Sequence, residues 1–105
     1  MRHAGRVDNT QKAIVRALRD IGASVQVLSA VGGGCPDLAA GWHGSTYFLE
    51  VKTGSEGLTQ AQRDWHANWS GHVAIVRTPE EAQLAVIGRP RRAVIPCSAP
   101  MMEAE

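Results

Sequence analysis

The apolar positions of this chain change period several times, and a glycine, a proline or a short polar run marks each change. From Asp8 to about Ile21, the residues Ile14, Leu18 and Ile21, with Ala17, fall on one helical face, while Lys12, Arg16 and Arg19 fall elsewhere. Asp8 with Gln11 is placed to cap the start of that helix, and Gly22 to end it. Ser24 to Ala30 alternates with β-branched residues and predicts a strand, which Gly32-Gly33-Gly34 breaks. Leu38 to Trp42 and Thr46 to Lys52 read as two strands joined by the short polar turn His43-Gly44-Ser45, a β-hairpin. Such a hairpin brings Asp37 and Glu50 towards the same end.

After Gly54 to Gly57, Thr59 opens a second helix that sets Ala61, Trp65 and Trp69 on one stripe and ends near Gly71. Val73 to Arg77 is a nearly continuous apolar run, the pattern of a central strand. Thr78-Pro79-Glu80-Glu81 combines a cap, a proline at the first helical position and an acid three residues after the cap, so a third helix is expected to about Ile87. The remainder has three prolines and no sustained period, the pattern of an arm or tail. The expected order is α-β-β-β-α-β-α, a mixed α/β sheet flanked by helices in one domain over residues 1–88, with a C-terminal arm over 89–105.

Composition narrows this further. With 105 residues, of which 44% are apolar, the chain can bury one core and not two. A formal charge of +1 creates no strong global field, so a nucleic-acid partner must be held by a local basic surface or by metal ions. Arg89, Arg91 and Arg92 form a basic cluster suited to phosphate contacts, with a solvated tail as the alternative. Cys35 and Cys97 lack metal-type spacing, and the chain shows no secretory signal or long apolar span, so a reducing cytosolic setting without a membrane is expected. The glycine run lacks the lysine of a phosphate-binding loop and the spacing of a dinucleotide loop. It reads as a flexible connection near the site, and no nucleotide cofactor is expected.

The chemistry lies in Cys35-Pro36-Asp37-Leu38 and, twelve residues after Asp37, Glu50-Val51-Lys52. Charged side chains are costly in a sheet, yet Glu50 and Lys52 sit among Tyr47, Phe48, Leu49 and Val51. Residues alternate faces along a strand, so Glu50 and Lys52 point one way and Val51 the other. Two facing carboxylates, Asp37 and Glu50, repel and are driven towards protonation unless a cation lies between them. Mg²⁺ (or Mn²⁺) fits, since a hard ion takes oxygen ligands and completes its shell with water and phosphate. The Val51 carbonyl is a further ligand candidate, and Lys52 is placed to serve an attacking water or the charge on a phosphodiester.

Each residue also has a plainer reading. Asp37 is a common turn residue after proline, and Glu50 with Lys52 is a common solvated face of an edge strand. Gln62 pairs with Thr59 as a cap. His66, one turn after Gln62, either faces a nucleic acid or is an ordinary surface histidine. Trp65 and Trp69 read as core or dimer-interface anchors rather than base-stacking groups, and Cys35 as a packing residue, since no His-Asp pair accompanies it.

Pro36-Asp37, followed by Glu50-Val51-Lys52, resembles the motif of the PD-(D/E)XK nuclease superfamily, and the element order resembles its restriction-endonuclease-like core. More closely, GGGCPDL, FLEVKTG and LTQAQRDWHANW are similar to small phage-type members of the virus-type replication-repair nuclease (VRR-Nuc) group, over roughly residues 8 to 88. The resemblance implies divalent-metal-dependent cleavage of DNA by a homodimer, on branched substrates such as four-way junctions, in the cytoplasm of a bacterial host of phage or prophage. It gives Asp37, Glu50 and Lys52 the catalytic roles and sets Gln62 near the metal-bound water or the phosphate. Relatives commonly carry an acid on the first helix near the position of Ile14; this chain has Gln11-Lys12-Ala13 there, and Asp8 is the nearest acid before it. A nuclease fold that has lost turnover and only binds DNA is therefore the alternative.

Overall fold

The computed structural model describes residues 2–88, with side chains from Asp8 onward. It is a mixed α/β domain: α1 (Arg2–Asp20), β1 (Ser24–Val27), β2 (Leu38–Trp42), β3 (Ser45–Val51), α2 (Gln60–Asn68), β4 (His72–Val76) and α3 (Pro79–Ile87). The order of elements is the one that the periodicity predicts. The four strands form one sheet in chain order, β1 and β3 antiparallel to β2, and β4 parallel to β3.

The first helix is longer than expected. Asp8 does not cap it but lies within it, because no proline precedes Asp8 and Arg2, Ala4 and Arg6 are good helix formers. Its end agrees with the sequence. Gly22 takes a φ of 94°, and the Gly22 and Ala23 amides donate back to the carbonyls of Arg19 and Leu18 at 3.0 Å each, closing the last turn. The first strand stops at Val27 rather than Ala30. Its partner begins at Leu38, Leu28 turns its amide to the Asp37 carbonyl at 2.7 Å, and Pro36 has no N–H with which to extend the ladder. The hairpin turn is two residues, His43-Gly44, both at positive φ (50° and 84°), which is the primed geometry that matches strand twist. Ser45 therefore belongs to β3.

The sheet has two unlike faces. Leu38 and Ala40 of β2, Tyr47, Leu49 and Val51 of β3 and Val76 of β4 pack with Ile14 and Leu18 of α1 and Ala82 and Val86 of α3 to form the core. At roughly 25 cal/mol per Å² this burial is the main stabilising contribution. The opposite face carries Phe48 and Glu50, and α2 lies over it without burying any of its own residues completely. β4 is an edge strand and not the central strand that its apolar run suggested, and Ile75 is exposed. Its apolar character has another cause: Ala74 and Val76 serve the core while Val73 is half-buried on the α2 face. Residues 89–105, and with them Arg89, Arg91, Arg92 and Cys97, lie outside the described residues.

Candidate active site

The hairpin register sets the geometry. Because Leu38 pairs with Leu49, the residue before β2 comes level with the end of β3, and the Val51 amide donates to Asp37 Oδ2 at 2.9 Å. This bond fixes the Asp37 carboxylate beside Glu50 and locks its rotamer from the backbone. Pro36, fully buried, anchors the chain just before it. The residue types follow from the place: a proline needs no partner for a missing donor, and an acid accepts from the Val51 amide, which lies beyond the last β3 residue paired with β2.

Glu50 and Lys52 are the two charged residues that are buried among the described residues, 2% and 5% exposed. That excludes the solvated-strand reading for both. Gln62 Nε2 donates to Glu50 Oε2 at 3.0 Å, and Lys52 Nζ stands 4.0 Å from the same oxygen and 4.0 Å from Glu56 Oε2. Glu50 Oε1 is buried and has no hydrogen-bond partner. Burial first, then the negative charge of Asp37, push the Glu50 carboxyl up to about 8, against which Lys52 acts only in part. Glu50 is thus a carboxyl that the protein leaves short of positive charge.

α2 brings the third part of the site. Thr59 caps it, with its hydroxyl accepting from the Gln62 amide at 3.2 Å, while Gln62 Oε1 accepts from the Thr59 amide at 2.9 Å. The capping reading of Gln62 is borne out, since the oxygen of its side chain closes the capping box, and its nitrogen in addition holds Glu50. His66 lies one turn on, half-buried, with Nε2 sealed from solvent and unpartnered among the described residues. Burial, then the Lys52 charge, lower its pKa and favour neutral imidazole. Burial, reinforced by Glu50 and Asp37, raises the Cys35 pKa, so this thiol is protonated and unsuited to nucleophilic attack, as its lack of a His-Asp pair already indicates.

Three residues of the site escape sequence reasoning. Glu56 meets Lys52 from a loop and accepts from the amide and hydroxyl of Thr53 at 3.2 and 3.3 Å; its i+4 spacing carries no signal outside a helix. Gly34, at a φ of 84°, passes so close to the Ala61 backbone that a Cβ there would overlap the Ala61 carbonyl. The glycine run is consequently a fitted contact with α2, and the expected flexible connection is corrected at that residue. Phe48, on the Glu50 face, meets Trp65 and Trp69 edge-on at 5.6 and 4.8 Å between ring centroids, and the two indoles stack at 4.7 Å. These tryptophans anchor α2 to the sheet.

No cluster of three or more His, Cys, Asp or Glu suited to a metal is present among the described residues; the protein offers two carboxylates and backbone oxygen. With its parallel β3-β4 pair, antiparallel hairpin and acids at the hairpin end, the chain has the mixed architecture of nuclease-type α/β folds. A solved structure described as a VRR_NUC domain resembles it with a TM-score of 0.64 and 24% identity, over 73% of this chain and 89% of that one. The fold is therefore the VRR-Nuc nuclease-like fold. No family model matches the chain, and no curated protein matches it.

Proposed function

We propose that this chain is a divalent-metal-dependent DNA endonuclease that hydrolyses phosphodiester bonds. The observation that carries the proposal is Glu50: a buried carboxylate with one unpartnered oxygen, driven towards protonation by burial and by Asp37, and clamped by Gln62. Such a pair of acids fits a hard cation, because added positive charge lets Glu50 ionise at neutral pH beside Asp37, and oxygen donors suit Mg²⁺ or Mn²⁺. In this reading Asp37, Glu50 and the Val51 carbonyl would hold the ion. When bound, it would supply acidification of a water and polarisation of the phosphate.

The chain's own residues have distinct tasks. Val51, through its amide, orients Asp37; Gln62 orients Glu50. Lys52, held by Glu50 and Glu56, places a positive charge where negative charge develops on the scissile phosphate, or takes the proton of the attacking water. His66 is assigned to the substrate side. The catalytic unit is assigned to residues 1–88, and the arm 89–105, with Arg89, Arg91 and Arg92, to backbone contacts. The proposal extends to a homodimer acting on branched DNA, and sedimentation velocity that finds only monomer, with and without a four-way junction, would remove that part.

The test is cleavage of labelled four-way junction, flap, single-stranded and duplex DNA with Mg²⁺ or Mn²⁺, comparing the parent with Lys52→Ala. The parent is expected to cut and the variant to lose at least a hundredfold in rate. Calorimetry should find Mn²⁺ binding that Asp37→Asn abolishes. A second reading rests on α1, where Gln11-Lys12-Ala13 occupies the stretch in which relatives commonly carry an acid, and where Gln11 Oε1 accepts from Ser29 Oγ at 3.4 Å. In that reading the chain is an inactive DNA-binding or dimerisation module, and DNA binding without cleavage or metal dependence would establish it.

A further inference from the structure

α1 carries three cations that the fold does not use. Lys12, Arg16 and Arg19 are exposed, and their side chains make no hydrogen bond or ion pair with any described residue. The other described cations are engaged. Arg63 donates to the Leu58 carbonyl and Gln60 Oε1, Arg77 to the Gly54 carbonyl, and Lys52 faces its two glutamates. The unused three rim a groove of about 580 Å³ between α1 and β1, the edge strand opposite β4. Its floor is apolar: Val15 lies half-buried, and Val27 is 45% exposed.

The place of the groove relates it to the proposed active site. Gln11 stands at one end, bonded to Ser29, and the neighbouring Leu28 amide reaches the Asp37 carbonyl. Asp20 stands at the other end, one turn beyond Arg16, and Asp8 precedes Lys12 by one turn. Between these two acids the rim is uniformly positive. The seven residue steps of helix from Lys12 to Arg19 span about 10 Å at 1.5 Å each. That is the axial length occupied by about three phosphates of one DNA strand, at 3.4 Å each.

We infer that this groove is a second nucleic-acid contact, in which Lys12, Arg16 and Arg19 hold successive backbone phosphates of a DNA arm leading away from the active site. The inference rests on the nuclease reading and adds to it a binding surface outside the catalytic residues. Charge complementarity selects the occupant, and the apolar floor suits deoxyribose carbons lying between the phosphates. Contacts of this kind position DNA without reading its sequence. They also answer how a chain with a formal charge of +1 holds a polyanion.

The experiment measures DNA binding by anisotropy in the Lys52→Ala protein, on a duplex and a four-way junction, over 50–200 mM salt. Replacing Lys12, Arg16 and Arg19 together by Gln is expected to flatten the slope of log affinity against log salt by about 2–3 and to weaken binding at least tenfold at the lowest salt. A charge-preserving variant, Lys12→Arg with Arg16→Lys and Arg19→Lys, is expected to bind as the Lys52→Ala protein does, which separates charge from folding. An unchanged slope in the triple Gln variant, while the parent cuts DNA, overturns the groove and leaves the nuclease reading intact. A parent that neither cuts nor binds DNA overturns both. A triple variant that changes the oligomeric state in sedimentation while its DNA slope stays unchanged assigns the groove to a second copy of the chain, and overturns the inference.

Discussion

The sharpest consequence of the site is that the metal-free protein should lose stability as pH rises, and that Glu50→Gln should remove this loss. In the folded chain the Glu50 carboxyl is raised to about 8, chiefly by burial and by Asp37, whereas the unfolded chain releases its proton near 4.5. Between those values the folded state holds the extra proton, so stability falls with rising pH across that window. The penalty works out at about 1 kcal/mol at pH 5 and about 4 kcal/mol at pH 8, at 1.36 kcal/mol per tenfold change in the proton equilibrium. The difference of about 3 kcal/mol corresponds to a change in Tm on the order of 10–20 °C for a domain of this size. Thermal unfolding of the parent and Glu50→Gln, in EDTA at pH 5 and pH 8, reads it directly. All other titrating groups are common to the two proteins, so the quantity of interest is how far the gap between them widens from pH 5 to pH 8. The variant should gain on the parent by most of that amount, and a gap that stays constant would refute the account of Glu50.

Two further changes test how α2 is held. Gly34→Ala puts a methyl group into the Ala61 carbonyl at a positive φ, and should cost about 2–4 kcal/mol, seen as a lowered Tm. Phe48→Ala removes the ring on which Trp65 and Trp69 rest; a stability loss of about 2 kcal/mol and red-shifted tryptophan emission are expected, while unshifted emission would mean that the two indoles are held by something else.

Much of this was legible in the sequence, for identifiable reasons. Helix α3 was fixed locally, since Thr78 caps it through the Glu81 amide at 3.1 Å and Pro79 opens it. The hairpin was legible because His43-Gly44 is flanked by alternating residues, and once its register is set Asp37 and Glu50 must meet. Periodicity misled where packing decides. An apolar run such as His72–Val76 does not tell a central strand from a parallel edge strand, because that depends on which strands lie beside it. The end of β1 depended on a partner strand that starts only at Leu38. Gly34 and Glu56 were invisible for the same reason, since their roles exist only once α2 and the loop before it are in place.

α2 joins these observations. Nine residues are too few for an independently stable helix, and no residue of α2 is fully buried, so neither intrinsic propensity nor a core face accounts for it. What holds it is the Thr59–Gln62 box at its start, the close passage of Gly34 at Ala61, the Phe48 cluster on Trp65 and Trp69, and the bond from Gln62 to Glu50. The last of these belongs equally to the site. One amide side chain closes the first turn with its oxygen and clamps the buried carboxylate with its nitrogen, so seating the helix and ordering the acid are a single event. A change that frees Glu50 from Gln62 must therefore loosen the start of α2, and a change that displaces α2 must release Glu50, although Trp69 and Glu50 lie far apart in the sequence.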